Sequence, residues 1–180
     1  MKNGLEELRH SSAHLLAAAV LKLWPKTKLA IGPAIENGFY YDFDFEKPIG
    51  EDDLPKIEKE MAEIVKTWKK FERIEISSEE ALVKFKANPY KTELIKEFSA
   101  ENQNLTLYKS GDFTDLCKGN HCENPSKEIV AFKLLSLAGA YWRGSEKNPM
   151  LTRIYGTVWP ARAALEDYLT KLELAKESDH

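Results

Sequence analysis

The stretch ENGFYYDFDF, Glu36 to Phe45, decides how this chain folds. Asn37-Gly38 is a tight-turn signal, and the residues after it alternate strictly: Phe39, Tyr41, Phe43 and Phe45 fall on one side, Tyr40, Asp42 and Asp44 on the other. A period of two with aromatics in one phase belongs to a half-buried strand entered from a hairpin turn. Upstream, GLEELRHSSAHLLAAAVLKLWP places Leu5, Leu8, Ser12, Leu15, Leu16, Ala19 and Leu23 at intervals of three and four until Pro25, which predicts a helix that stops there. Downstream, Glu51 to Lys70 is a second predicted helix, burying Leu54, Ile57, Met61, Ile64, Val65 and Trp68. Its lysines, interleaved with glutamates, read as a solvated face with i,i+4 ion pairs.

Further along, FERIEIS is a short alternating strand, and Ser78–Ala87 and Lys91–Phe98 are short helices divided by Asn88-Pro89. LTLYKSGDFTDLC gives two strands about Ser110-Gly111, KGNHCENPS a loop, and KEIVAFKLLSLAGAYWRGS with MLTRIYGTVWP a further strand pair. Pro160 to Ser178 is a closing helix striped by Leu165, Tyr168, Leu169 and Leu172. Strands and helices mixed without βαβ alternation predict an α+β fold, a largely antiparallel sheet packed with helices.

With 180 residues the chain can bury a real core. Its apolar runs fall short of the roughly 18 residues of a membrane span, and its first residues lack the apolar core of a secretory signal, so the expected location is the cytoplasm, with no membrane partner. The net charge of −3 argues against a generic phosphate-binding surface. Cys117 and Cys122 lie too close together to staple a fold and are expected as thiols.

The chemistry concentrates in two motifs. RHSSAH sets His10 and His14 four residues apart, on one helix face. The metalloprotease pattern His-Glu-x-x-His is missing its general base, because Ser11 occupies that place. DLCKGNH then supplies Asp115, Cys117 and His121 on a glycine-containing loop, so three of the four histidines and one of two cysteines fall in H-x3-H and C-x3-H. These four side chains could close a tetrahedral zinc site or surround a water without metal.

RHSSAHLL, AIGPAIENGFYYDFDF, DLCKGNH and AGAYWRGSEKNPMLTRIYGTVWP together resemble the editing domain, or second additional domain, of bacterial threonyl-tRNA synthetases. Modules with the same histidine and cysteine pairs occur in alanyl-tRNA synthetases and in freestanding alanyl-tRNA editing proteins; GFYYDF and IYGTVW favour the threonyl branch. The resemblance implies an editing module over residues 1–158 and a connector helix over 159–180, leading toward a class II catalytic domain absent from this chain, and an excised module rather than a stand-alone editor. It implies hydrolysis of the aminoacyl ester of mischarged Ser-tRNA(Thr), with the serine-bearing 3′ end of tRNA(Thr) and the remaining synthetase domains as partners. ATP would be needed only in the missing catalytic domain. His10, His14, Lys91, Asp115, Cys117 and His121 are the implied catalytic set, and Tyr41 the implied substrate-holding residue. No cofactor is expected; the alternative is zinc on His10, His14, Cys117 and His121, as in the alanyl relatives. Direct attack by water is preferred to an acyl-enzyme on Cys117. The rival readings are a zinc-stabilised, non-catalytic tRNA-binding appendage and an alanyl-type editing hydrolase. Trp24, Trp68 and Trp159 are expected in the core, Cys122 as inert packing, and Arg143 as a brace at a strand end rather than an RNA contact.

Overall fold

The computed structural model describes residues 2–101 and 104–178. Among these residues, eight strands and six α-helices follow in the order α1 (Lys2–Leu23), β1 (Lys28–Leu29), β2 (Ala34–Ile35), β3 (Gly38–Asp44), α2 (Leu54–Val65), β4 (Glu72–Ile76), α3 (Ser78–Lys84), α4 (Pro89–Ala100), β5 (Leu105–Ser110), β6 (Phe113–Leu116), α5 (Pro125–Glu128), β7 (Ala131–Tyr141), β8 (Met150–Trp159) and α6 (Arg162–Ser178), with 3₁₀ turns at Glu51–Asp53 and Trp142–Gly144. The fold is α+β and every strand pairing is antiparallel. The strands divide into two sheets, one built on β1-β3-β8-β7 with β2 added to β3, the other on β4-β5-β6.

The hairpin forms as its alternation requires: Asn37 takes a positive φ of 64° at the turn, and Ala34 pairs with Phe39. Phe39, Tyr41 and Phe43 are buried against α1, which is buried continuously from Ser11 to Val20. Asp42, on the opposite phase, is buried as well, because Arg153 across the β3–β8 ladder holds it through two hydrogen bonds of 2.8 and 3.0 Å. A buried carboxylate survives because that pairing is bidentate.

Several helix boundaries differ from expectation: α3 stops at Lys84 rather than Ala87, α4 runs to Ala100 rather than Phe98, and α6 starts at Arg162 rather than Pro160. α2 stops at Val65 rather than Lys70, because Thr67 and Trp68 turn back in i→i−3 bonds to Ile64 and Val65 while the Thr67 hydroxyl also takes the Ile64 carbonyl. Trp68 is still buried, stacked 6.0 Å from Phe113 and edge-on to Phe71. α4 begins at Pro89, not Lys91: Asn88 is the N-cap, its Oδ1 accepting from the Tyr90 and Lys91 amides, and proline fits the first turn where no amide is needed. The local ion pairs about α2 run at i,i+3 rather than i,i+4, Lys56 with Asp53 and Lys66 with Glu63, while Glu58 and Glu60 reach Lys133 and Lys22 on other elements. Ser126 lies in the short α5 rather than the loop. Of the three tryptophans expected in the core, Trp24 and Trp159 are half-buried. Trp24 meets Phe45 edge-on, and Trp159 lies under the Arg9 guanidinium. Among the described residues no helix is long and apolar enough to cross a membrane.

Candidate functional site

α1 delivers two imidazoles to one place by helical geometry alone: the His10 and His14 rings lie 4.9 Å apart. The loop after β6 brings His121 onto both, with ring centres 4.7 and 5.0 Å away, and Phe71 and Tyr108 pack against His121 at 4.4 Å each. Cys117 Sγ stands 3.3 Å from His10 Nε2 and 3.5 Å from His121 Nε2. The His10 Nδ1 faces the Asn120 carbonyl at 3.3 Å. Ser11, between the two histidines and fully buried, accepts the Cys122 amide at 2.9 Å and so pins the loop to the helix. Cys122 is a buried packing residue whose thiol burial pushes up to about 11.

A second group of polar residues adjoins the first. Asp115, on β6 and almost wholly buried, accepts from the Tyr41 hydroxyl at 2.6 Å, from the Leu116 amide at 2.8 Å and from the Lys91 ammonium at 2.9 Å, and lies 3.3 Å from His14 Nδ1. Lys91 also donates to the Tyr41 oxygen at 3.1 Å. It is 2 % exposed, so it is not the surface lysine that a helix start would ordinarily carry. Gly32 allows this packing: a Cβ there would stand 2.1 Å from the Tyr41 ring.

The charges follow from these contacts. Burial disfavours ionisation of Asp115, but Lys91 first, then His14 and Tyr41, outweigh it and hold the carboxyl well below the usual range. Burial likewise opposes charge on His14, yet its contacts with Asp115 and Cys117 raise it to about 9. Cys117 resists ionisation through burial and is nevertheless lowered to about 3 by the three histidines. Burial lowers His121, against the pull of Cys117, and raises Tyr41, beside Asp115, well above the ordinary tyrosine value. Two negative groups, Asp115 and Cys117, thus face two positive ones, Lys91 and His14, and the cluster balances by itself.

The donor set also fits zinc. One ligand atom from each of His10, His14, Cys117 and His121 lies within 4.8 Å of the others, compared with edges of roughly 3.3–3.8 Å for a tetrahedral zinc bound by nitrogen and sulfur. His14 Nε2 and His121 Nδ1 are buried without an aligned hydrogen bond.

Both groups open onto a cavity of about 220 Å³ lined by His10, His14, Tyr41, Lys91, Asp115 and Cys117. All the residues expected from sequence at the site therefore line this cavity except His121, which stands behind it against Cys117, His10 and His14. Sequence reading missed Ser11 and the wall residues Ile31, Gly32, Pro33, Leu94, Phe98, Leu116 and Lys118. The Gly32-Pro33 break was a visible signal; nothing in the pattern of α4 singled out Leu94 or Phe98.

Residues 105–155 match the family described as the threonyl and alanyl tRNA synthetase second additional domain. Over nearly the whole chain the sequence is similar to threonine–tRNA ligases: 57 % identical to that of Lawsonia intracellularis over 181 residues, 56 % to that of Borreliella burgdorferi over 177, and 53 % to that of Acetivibrio thermocellus over 182. These alignments cover 99, 98 and 99 % of the chain but 28, 30 and 28 % of the relatives, so the chain spans under a third of their length.

Proposed function

Because the chain belongs to the second-additional-domain family of threonyl-tRNA synthetases, we propose that it hydrolyses the aminoacyl ester of tRNA(Thr) mischarged with serine, as one module of a longer ligase. The observation that carries this reading is the convergence of α1, α4, β3 and the loop after β6 on one cavity. The need for such a module is energetic. A synthetic site that accepts threonine rejects serine only by a missing methyl, worth about 1–3 kcal/mol, so a second site must remove the error. A tight cavity admits the smaller residue and excludes the larger by a clash.

The chemistry asks for a positioned water, a base, and a donor for the charge that grows on the carbonyl oxygen. His10 Nδ1 faces the Asn120 carbonyl and its Nε2 the Cys117 sulfur at the cavity wall, and this imidazole–thiol pair takes the proton of the attacking water and returns it to the ribose oxygen that leaves. The adjacent Cys117 thiolate stabilises the imidazolium that results. Lys91 has three N–H donors; Asp115 and Tyr41 use two, and the third polarises the ester carbonyl. Tyr41, whose hydroxyl is engaged with Asp115 and Lys91, positions that ammonium, and its ring forms the wall against which the substrate lies. The cavity is smaller than the roughly 300–1,000 Å³ of pockets that enclose a whole drug-sized ligand, so it receives the seryl-ribose end and leaves the base at the mouth.

Zinc, where bound, would be held by His10, His14, Cys117 and His121. With four protein ligands it would have no open position for water and would serve the fold. Without zinc, the same four side chains would act on the water directly. Residues 159–180, whose helix α6 buries only Leu165, fit a connector to further domains of the ligase.

Turnover of Ser-tRNA(Thr) against Thr-tRNA(Thr), with and without a chelator, tests the reading. Serine-selective hydrolysis that survives chelation is expected. Equal cleavage of both contradicts the editing role, and metal-dependent unfolding without turnover supports the non-catalytic zinc appendage.

A further inference from the structure

Arg143, in AYWRGS, has no place in the site so far described, yet its backbone is unusual: φ is 55° and ψ 24°, left-handed, between Trp142 and a glycine. An L-residue with a side chain keeps that conformation only when its surroundings hold it there. Here the holding is on α4. The Arg143 Nε donates to Glu93 Oε2 and its Nη2 to Glu97 Oε2 at 2.6 Å, while the buried Trp142 donates Nε1–H to the same Glu93 oxygen at 3.1 Å. The Trp142 ring packs edge-on to Tyr90, 5.1 Å away, in a small cluster with Ala30 and Leu151.

Glu93 and Glu97 lie one turn apart on α4, and Lys91 lies two residues before Glu93, about 200° round the helix. The turn between β7 and β8 therefore grips one side of α4 while Lys91 projects from the other into its buried contacts with Asp115 and Tyr41. α4 needs such a grip. Its twelve residues bury only Tyr90, Lys91 and Ile95, and its N-terminus is tied by Asn88, which caps the helix and donates to the Leu29 carbonyl at 2.8 Å.

A direct contact of Arg143 with RNA fits less well. The groove beside it, about 530 Å³ and lined also by Tyr40, Asp42, Tyr141 and Arg153, has both its guanidiniums engaged, Arg153 by Asp42. With Arg143 spent on Glu93 and Glu97 and Arg153 on Asp42, neither guanidinium is left free for a phosphate.

We infer that Arg143 and Trp142 clamp α4 through Glu93 and Glu97 and so act as positioning residues for the Lys91 ammonium. The inference rests on the hydrolytic reading above. If Arg143 works through Lys91, Arg143→Ala lowers the kcat of seryl-tRNA deacylation about ten- to hundredfold with KM little changed. In a Lys91→Ala background the same substitution then has no further effect. Arg143→Lys, which keeps the charge and loses the two-pronged geometry, falls between. A second readout needs no activity: acylation of lysines by a small amine-reactive ester, followed by mass spectrometry, finds Lys91 protected in the unaltered protein and labelled several-fold faster in Arg143→Ala and Glu93→Gln. An equal loss with and without Lys91, a change in KM alone, or an unaltered kcat with Lys91 still protected overturns the clamp. If the unaltered protein cleaves no seryl ester, the functional reading fails by itself, and the labelling still decides whether Arg143 holds α4.

Discussion

α1 and α4 each carry part of the site, and they hold it in opposite ways. α1 is packed from Ser11 to Val20 in the main core, so His10 and His14 share a face because 3.6 residues make a turn and the helix cannot rotate. α4 lies at the margin, is tied by side-chain hydrogen bonds at a cap and a turn, and presents Lys91 as its one charged group in the site, beside Leu94 and Phe98. Hydrophobic burial fixes the histidines, whereas a small number of polar contacts fixes the ammonium. Removing a polar contact should therefore disturb the α4 half before the α1 half, except where the two meet.

They meet at Asp115, where the largest effect is expected. Asp115→Ala leaves the Lys91 and His14 charges buried without their carboxylate, and breaking a buried pair from one side costs about 3–5 kcal/mol. Chemical denaturation should show a loss of that size together with abolished deacylation. A stable variant with normal turnover would break the comparison at its centre.

Ser11→Ala is smaller and sharpens the α1 side. It strips the buried Cys122 amide of its acceptor, a loss of about 1–3 kcal/mol, and frees the loop that carries His121. The expected outcome is a modest drop in the denaturation midpoint with a clear fall in kcat, and Ser11→Thr restores part of both. Unchanged kinetics would mean that packing alone seats the loop.

The least direct test is a pH profile of stability in chelator-treated protein. The folded-state value of Cys117, about 3, lies below its ordinary 9.0, so its contribution grows as pH rises from 3 to 9. The folded-state value of His14, about 9, lies above its ordinary 6.5, so its contribution is complete below 6.5 and is lost between 6.5 and 9. From these two groups stability climbs from pH 3 to about 6.5 and then levels, the opposing slopes cancelling. Cys117→Ala should lose the climb and keep only a shorter fall above 6.5, because part of the rise in His14 came from the lost thiolate; a profile indifferent to that substitution contradicts the thiolate–imidazolium pair.

The same contrast explains what the sequence made legible. Helical spacing announced His10 and His14, and the period of two announced Tyr41, because those placements are local. The convergence of His121 and Cys117 was suggested by motif and resemblance, but the Ser11 pin that seats them joins residues 111 positions apart and leaves no local trace. Lys91 followed from the family pattern alone; its burial depends on Asp115 across the fold and its helix begins two residues earlier than the pattern suggested. The division into two sheets was also invisible, since alternation gives a strand its faces but not its neighbours.

The most direct measurement is single-turnover deacylation of Ser-tRNA(Thr) by His10→Ala, with folding followed by circular dichroism on the same samples. Removing the imidazole of the His10–Cys117 pair is predicted to cut the rate by about 10²–10⁴ while the spectrum and melting curve stay native. Near-normal hydrolysis by a folded His10→Ala protein would contradict the claim that this cluster performs the reaction.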